Sequence, residues 1–359
     1  MSQARMAAAA IAALPATVRE PHVAEMRLIT LAGHVPPWNA TDVQVRRGEW
    51  MTLLASGRLV LAEALDLWLP PSLALWGRIG GRGPIFNGTR DTTSVVAEHD
   101  GLLELALYNG EWATPDGTLA TAVEAYAGSS GTIDVVVIRW HGNPERGLAA
   151  LAAALPEDEL IDGERDRLAR AVASPPGWKH LWFLGPTECF HAHAEDGHAA
   201  IRIDTTNDVG ILQTAVEFPL GPATTLEWRW CVDELPAVGG EDTPLAHDYM
   251  SLALEFENGQ DLTWYWSAAL PVGSHYSCPL PTWAARETHW VVRSGSDGLG
   301  RWHDERRRVA DDYRAAVGAV PSRIVGVWLI AVSVFGHRRG RAAFADVILR
   351  DGDRELRVI

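Results

Sequence analysis

The densest run of reactive side chains in the sequence is Glu188-Cys-Phe-His-Ala-His-Ala-Glu-Asp-Gly-His198. Read as a hairpin turning at Glu195-Asp196-Gly197, it puts Cys189, His191 and His193 on one face, because successive side chains on a strand point to opposite sides. His198 then opens the returning strand, across from His193. Two imidazoles on one face can bind zinc, shuttle protons, or sit in solvent beside a turn. Zinc needs further ligands, and nothing nearby has a metal-ligand spacing. No metal and no cofactor is assigned.

A second set is spread more widely: His247-Asp248-Tyr249, Trp264-Tyr265-Trp266, Gly273-Ser-His275-Tyr-Ser277 and Glu287-Thr-His289-Trp290. On a strand over 262–266, Trp264 and Trp266 face one way and Tyr265 the other. Either face can line a pocket in which an aromatic floor meets a few polar groups. The same tryptophans can equally fill a sandwich core. The acid–base candidates are therefore His191, His193, Asp248, Tyr265 and His275, and the ligand-binding candidates are Asn109, Trp112, Asp116, Trp264 and Trp266. A Ser274–His275–Asp248 triad lacks the strand-turn-helix elbow that presents a nucleophilic serine. Gly77-Arg-Ile-Gly-Gly-Arg-Gly83 lacks the Gly-Lys-Ser/Thr ending of a phosphate loop and reads as a turn. Glu188 with Asp248 or Glu287 is a possible glycosidase carboxylate pair, but its separation is a tertiary quantity.

The elements that must position these residues are mostly strands. Between Arg27 and Trp140, turn residues punctuate short β-like segments such as 26–32, 50–55, 102–108 and 133–140. From 145 to 170 the period becomes helical, with Leu148, Leu151, Leu155, Leu160 and Leu168 recurring, until Ser174-Pro-Pro-Gly177 stops it. Strand patterns resume at 225–232, 250–256 and 262–266, and 304–317 reads as a helix. The alanine-rich segment Met6–Pro15 imitates a signal peptide without a leucine-rich centre and reads as a frayed helix, so cytoplasmic residence is expected ahead of export. The expected architecture is all-β: two β-sandwich domains of jelly-roll or galactose-binding-like type, joined by a helical linker. The boundaries are an N-terminal extension at 1–26, a sandwich at 27–141, the linker at 142–177 and a second sandwich at 178–359.

Composition narrows the partners. The 359 residues carry 31 Lys+Arg, of which only Lys179 is lysine, against 46 Asp+Glu, a net charge of −15. Phosphate backbones need clustered cations, so nucleic acid is excluded as a partner. The one dense basic run, Arg306-Arg307-Arg308, is hemmed in by Asp304, Glu305, Asp311 and Asp312. Three cysteines without a CxxC pair give no disulfide framework. No apolar stretch approaches the roughly 20 residues that span a bilayer, so no membrane partner is expected. Tryptophan is in excess, 16 residues against 7 Phe and 6 Tyr.

Four landmarks run in order through the first half: Val43-x-Val-x-x-Gly-Glu-x-Met-Thr-Leu-x-Ala-Ser-Gly57, Leu73 with Trp76-Gly-Arg-Ile-Gly80, Gly101-x-Leu-x-Leu-x-Leu-Tyr-Asn109, and Tyr126-x-Gly-Ser-Ser-Gly-x-Ile133. In these, the stretch from about Leu28 to Trp140 resembles the small calcium-dependent galactose-binding bacterial lectins with a β-sandwich fold. That resemblance implies a calcium ion held by a carboxylate after the Tyr-Asn pair and by an asparagine pair before the last strand. This sequence has Gly110 and Gly128-Ser129 there. A hard cation wants six to eight oxygen ligands including carboxylates, so the calcium site is not expected, although Asp116 in the turn Thr114-Pro-Asp-Gly117 offers one oxygen ligand. The second half resembles a bacterial β-sandwich family of unknown function, through Leu226-x-Trp-x-Trp-x-Val232, His247-Asp248 in place of an acidic pair, Trp302-x-x-Glu305-x-Arg307 and Asp346-Val347. It departs from that family at Ser333–Arg339, where an Asp-rich stretch is expected, and the resemblance brings no activity with it.

These observations lead to a carbohydrate- or glycoside-binding protein with a saccharide or small-molecule ligand. The alternative is an enzyme of secondary metabolism, such as a lyase, hydratase or cyclase, with a histidine/carboxylate acid–base site in the second sandwich. A third reading is an assembly module using one sandwich as a homo-oligomer interface.

Overall fold

The computed structural model describes residues 1–81, 83–109, 112–195 and 197–359. The chain folds as two compact units, Met1–Val172 and Ala173–Ile359, and each is a β-sandwich.

In the first unit, a five-stranded sheet runs in the order Val23–Ala32, Ser130–Trp140, Trp50–Ala62, Leu67–Leu69, with Thr92–Val96 also pairing with Trp50–Ala62. It faces a four-stranded sheet of Asn39–Val45, Gly101–Leu107, Leu75–Ile79 and Phe86–Asn87. The run Ile133-Asp-Val-Val-Val-Ile138 is apolar on both faces because both are covered. Ile133, Val135 and Val137 enter the core between the sheets. Val136, Ile138 and Trp140 face outward and are covered by the helices Gln3–Ala13, Pro144–Ala154 and Glu159–Ala169.

The helices of 142–177 thus form a third layer of the first unit. The N-terminal helix is docked rather than frayed: Ala4, Ala7, Ala8 and Ile11 are buried against the sheet. Their small side chains let the helix lie close. Asp134, the one polar residue in the apolar run, anchors it by accepting from Ser2 Oγ at 2.7 Å, Thr30 Oγ1 at 2.6 Å and Arg5 Nη2 at 2.8 Å.

The second unit packs a seven-stranded sheet against a six-stranded one. The first has the order Lys179–His180, Val209–Pro219, Arg323–Val332, Tyr249–Phe256, Asp261–Ser267, Glu287–Ser294, His275–Ser277. The second has the order Phe190–Glu195, His198–Thr206, Arg339–Asp351, Thr225–Glu234, Trp302–Arg308, with Arg354–Arg357 on the flank of Arg339–Asp351. Between them lie Trp228, Trp230, Trp264 and Trp266, all buried in one core. Period-two spacing on Thr225–Glu234 and Asp261–Ser267 sends each pair of tryptophans inward together.

The segment 304–317 is not one helix. Trp302–Arg308 is a strand whose alternating charges pair across to Thr225–Glu234, with Arg306 3.3 Å from Glu227. Only Val309–Ala316 is helical, and its Asp312 receives Arg307 at 2.6 Å. Among the described residues no helix is long and apolar enough to cross a membrane.

Candidate functional site

The faces of Tyr249–Phe256, Asp261–Ser267 and Glu287–Ser294 that point away from the sandwich core are unusually polar. Strand alternation sends Leu252, Leu254, Leu262, Trp264 and Trp266 into the core. The opposite face receives Tyr249, Ser251, Thr263, Tyr265, Glu287 and His289. All six are buried, so this face is covered by other parts of the chain. The register sets Glu255 beside Asp261 and Asp261 beside Glu287, a row of three acids across three strands.

At one end of this face, four side chains converge. Glu287 and His289 sit two apart on one strand, so they share its outer face. Cys278 comes just after His275–Ser277, the edge strand that pairs with them. His247 comes from the segment leading into Tyr249–Phe256. One ligand atom from each of His247, Cys278, Glu287 and His289 falls within 4.8 Å of the others, and the four residues are 1%, 2%, 3% and 0% exposed.

The surrounding contacts hold the set in place. His247 Nδ1 lies 2.6 Å from the backbone oxygen of Glu241; a carbonyl can only accept, so the proton is on Nδ1. That leaves Nε2 bare, 3.3 Å from Cys278 Sγ. Tyr249 donates to Glu287 Oε1 at 3.0 Å. The His289 ring is stacked on Tyr276 at 5.3 Å and meets His247, Tyr249 and Tyr265 edge-on. Its Nε2 is 3.4 Å from Glu287 Oε1, but the alignment is not that of a hydrogen bond, and both ring nitrogens are buried without a hydrogen-bond partner.

Burial governs the protonation of these groups. Burial, followed by the neighbouring His289, pushes His247 down to about 3, so it is neutral at ordinary pH. Burial and then Glu287 raise the Cys278 thiol, and burial followed by Glu287 raises Asp261. Glu287 itself is held low: burial favours its neutral form, but the imidazole of His289 beside it, then that of His247 and the Cys278 thiol, outweigh that push. The neighbouring Glu241 is raised by burial, although its carboxylate accepts from Ala268 N at 2.7 Å and lies against Ser267 and Tyr265.

The residues singled out from the sequence do not converge. The hairpin of Phe190–Glu195 and His198–Thr206 is formed, but it belongs to the six-stranded sheet, opposite the one that carries the cluster. His191 and His193 are half-buried on its outer face, with His193 Nε2 3.4 Å from Arg202. His198 pairs with Glu195 rather than His193. Asp196 of the turn lies outside the described residues. Cys189 leaves the histidine face: it is buried, 3.0 Å from Thr187 Oγ1 and 3.0 Å from Asp208 Oδ2.

Asp248 is buried and spends its carboxylate on the backbone N–H groups of Phe335, at 3.0 Å, and Gly336, at 2.6 Å. His275 is exposed and stacked on Trp290 at 4.8 Å. Of the five acid–base candidates only Tyr265 borders the cluster, with its hydroxyl 2.8 Å from that of Tyr276.

The ligand-binding candidates are engaged in packing. Trp264 donates to Asp312 at 2.9 Å and Trp266 to the Gly295 oxygen at 2.8 Å, both inside the core. Trp112 is buried, stacked on Trp38 at 5.2 Å. Asn109 donates to Ser129 Oγ at 2.6 Å, tying together two positions the lectin comparison concerns, while Gly110 lies outside the described residues. Asp116 is exposed and accepts from Thr118 Oγ1 at 3.0 Å, with Thr114 also bonded to it. Those two threonine bonds hold its carboxyl below the usual range.

The sequence groups His247, Glu287 and His289 in one polar set without marking them as ligands, and nothing near Cys278 marks it as a fourth. The available signal was Glu287-x-His289, two donors on one strand face. The other two ligands come from separate segments, so no local spacing announces them.

An open feature lies in the first unit. A groove of about 580 Å³ is lined by Trp50, Phe86, Ile79 and Val95 with Ser94, Glu98 and His99. A second hollow of about 430 Å³, bounded by Arg47 and Gly48, shares Val96, Glu98 and His99 with it.

Residues 176–348 match the model of a family described as a protein of unknown function (DUF3047). No curated protein matches the chain. Solved structures similar to parts of it come from lectins, carbohydrate-binding modules and an enzyme domain. They include the EclA N-terminal domain, a PllA-like lectin, at 17% identity over 31% of this chain and 94% of that one, with a TM-score of 0.25. The xyloglucanase domain of NopAA from Sinorhizobium fredii, in complex with cellobiose, is 8% identical over 50% and 94%, with a TM-score of 0.28. A carbohydrate-binding module of the β-sandwich superfamily is 9% identical over 91% and 98%, with a TM-score of 0.22.

Proposed function

We propose that the protein binds a saccharide or glycoside at the groove of the first unit. The observation behind this reading is the make-up of that groove. Trp50 and Phe86 supply flat apolar faces on which the C–H face of a sugar ring can lie, while Glu98, Ser94 and His99 supply acceptors and donors for its hydroxyls. The volume of about 580 Å³ is in the range of small-ligand sites, and the adjoining hollow at Arg47 and Gly48 leaves room for a second ring. Buried Trp112, Trp264 and Trp266 have no free face for this role. The enzyme alternative is less well supported, because a substrate would have to reach Tyr265, Glu287 and His289, all of which are buried.

Calorimetric titration of the full chain with galactosides and with β-linked glucosides tests the reading. Binding with a millimolar or tighter Kd, weakened at least about tenfold, or about 1.4 kcal/mol, by Trp50→Ala, is the expected outcome. The absence of heat with any saccharide at millimolar concentration would refute it, as would binding that Trp50→Ala leaves unchanged.

A further inference from the structure

The geometry points to a zinc-class divalent cation held by His247, Cys278, Glu287 and His289 in the second unit, as a closed site that staples the outer face of the seven-stranded sheet. The inference is independent of saccharide binding in the first unit.

Three observations carry it. First, four donors of the types that bind zinc, two imidazoles, a thiol and a carboxylate, bring one ligand atom each within 4.8 Å of one another. Ligands of one tetrahedral ion lie within such a span, and the segments that bring them are separate in sequence.

Second, His289 is fully buried with neither ring nitrogen hydrogen-bonded. A buried polar group without a partner is costly, and native structures rarely leave one unexplained. The rings of Tyr276, Tyr249, Tyr265 and His247 fix the imidazole in this pose. A cation in the cluster would give one of its nitrogens the missing partner.

Third, the second layer is that of a metal site. His247 Nδ1–H is donated to the Glu241 carbonyl at 2.6 Å, which fixes the tautomer and turns Nε2 toward the cluster. Tyr249 orients Glu287 at 3.0 Å in the same way.

Charge and donor softness select the ion. On binding, a metal–sulfur bond replaces the Cys278 S–H bond and that proton leaves to solvent. Both histidines bind as neutral imidazoles, and Glu287 binds as the carboxylate. A divalent ion, one thiolate and one carboxylate sum to zero, so no net charge is left buried. Calcium and magnesium prefer all-oxygen sites, and the mixed N, S and O set suits zinc and its neighbours. Four protein donors, all buried, leave no open position for a bound water of the kind catalytic zinc uses. The role is therefore structural: the ion ties the segment before Tyr249 and the segment after Ser277 to the strand of Glu287 and His289.

The test uses the full chain, stripped with a chelator under reducing conditions and titrated with Zn²⁺ or Co²⁺. One equivalent of zinc should be retained through gel filtration. Cobalt should give tetrahedral visible bands and a near-ultraviolet cobalt–thiolate charge-transfer band. Cys278→Ser should abolish the charge-transfer band, while Cys231→Ser should keep it. Tyr249→Phe should keep the band and lower zinc affinity about 10–100-fold. Circular dichroism of each variant separates lost ligation from lost folding. Failure of the folded wild-type chain to take up either ion would overturn the assignment, as would a thiolate band that survives Cys278→Ser.

Discussion

Replacing His289 with leucine should cost far more stability with zinc than without it. In the metal-free chain the histidine leaves buried polar nitrogens unpaired, and such a group costs about 1–3 kcal/mol. Leucine removes that cost. It also gives up the stack on Tyr276 at 5.3 Å, worth about 0.5–1.5 kcal/mol, and fits less well, at up to about 1.5 kcal/mol. Summed, these terms run in chelator from a loss of about 2 to a gain of about 2.5 kcal/mol, centred near zero. With free zinc at 100 times the dissociation constant, the wild-type chain gains about 2.7 kcal/mol that a three-donor variant largely forfeits. The variant should therefore fall behind the wild-type chain by about 2–3 kcal/mol more in zinc than in chelator. Urea unfolding followed by tryptophan fluorescence, with reductant present and with either chelator or zinc, measures both numbers, since the core of the second unit holds Trp228, Trp230, Trp264 and Trp266. A destabilisation of equal size in both media would refute the reasoning, because it would mean that His289 contributes by packing alone.

Two further predictions concern the helical layer of the first unit. Gly147→Ala and Gly163→Ala make the same change in neighbouring helices and should differ in sign. A Cβ at Gly147 would meet Trp140 Cζ3 at 2.2 Å, whereas one at Gly163 has nothing within 4 Å. Gly163→Ala should stabilise by up to about 1 kcal/mol through helix propensity, and Gly147→Ala should destabilise by about 1–3 kcal/mol through overpacking; thermal melts of the two variants check this. The docking of the N-terminal helix should also be acid-sensitive. Burial favours the neutral form of Asp134, but bonds from Ser2, Thr30 and Arg5 outweigh it and hold its carboxyl low. A carboxylate with a depressed folded pKa stabilises above its unfolded value, roughly 3.9, and that contribution is lost as pH falls through the folded value. Protection factors of Gln3–Ala13, taken relative to intrinsic exchange at each pH, should accordingly be high at pH 7 and fall selectively below about pH 4, and Asp134→Asn should remove that selectivity.

Much of the fold was legible locally. Period-two tryptophans at 228 and 230 and at 264 and 266, and the apolar run at 133–138, report a strand and its buried face directly, because strand alternation is a property of neighbouring residues. The helical period of 145–170 was equally plain. Where a helix docks is not local: the alanines of Gln3–Ala13 look like weak helix, and only the sheet beneath them, with Asp134 as anchor, makes them an interior layer. The helix read over 304–317 failed for a related reason. Residues 304–308 are charged and helix-compatible, but pairing with Thr225–Glu234 overrides that propensity.

The site divides along the same line. The sequence by itself determined two sandwiches rich in tryptophan, a net charge of −15, and the residue types available for chemistry. Its densest histidine cluster, His191 and His193, lies on the outer face of the six-stranded sheet. The set that converges was scattered between positions 247 and 289, and Cys278 had no neighbouring cysteine to mark it. Tertiary structure decided which residues met, since strand order set Glu287–Ser294 between Asp261–Ser267 and the edge strand His275–Ser277. It also decided their chemistry: covering that face removed the water that would otherwise have solvated two imidazoles, a thiol and a carboxylate, and left them facing one another.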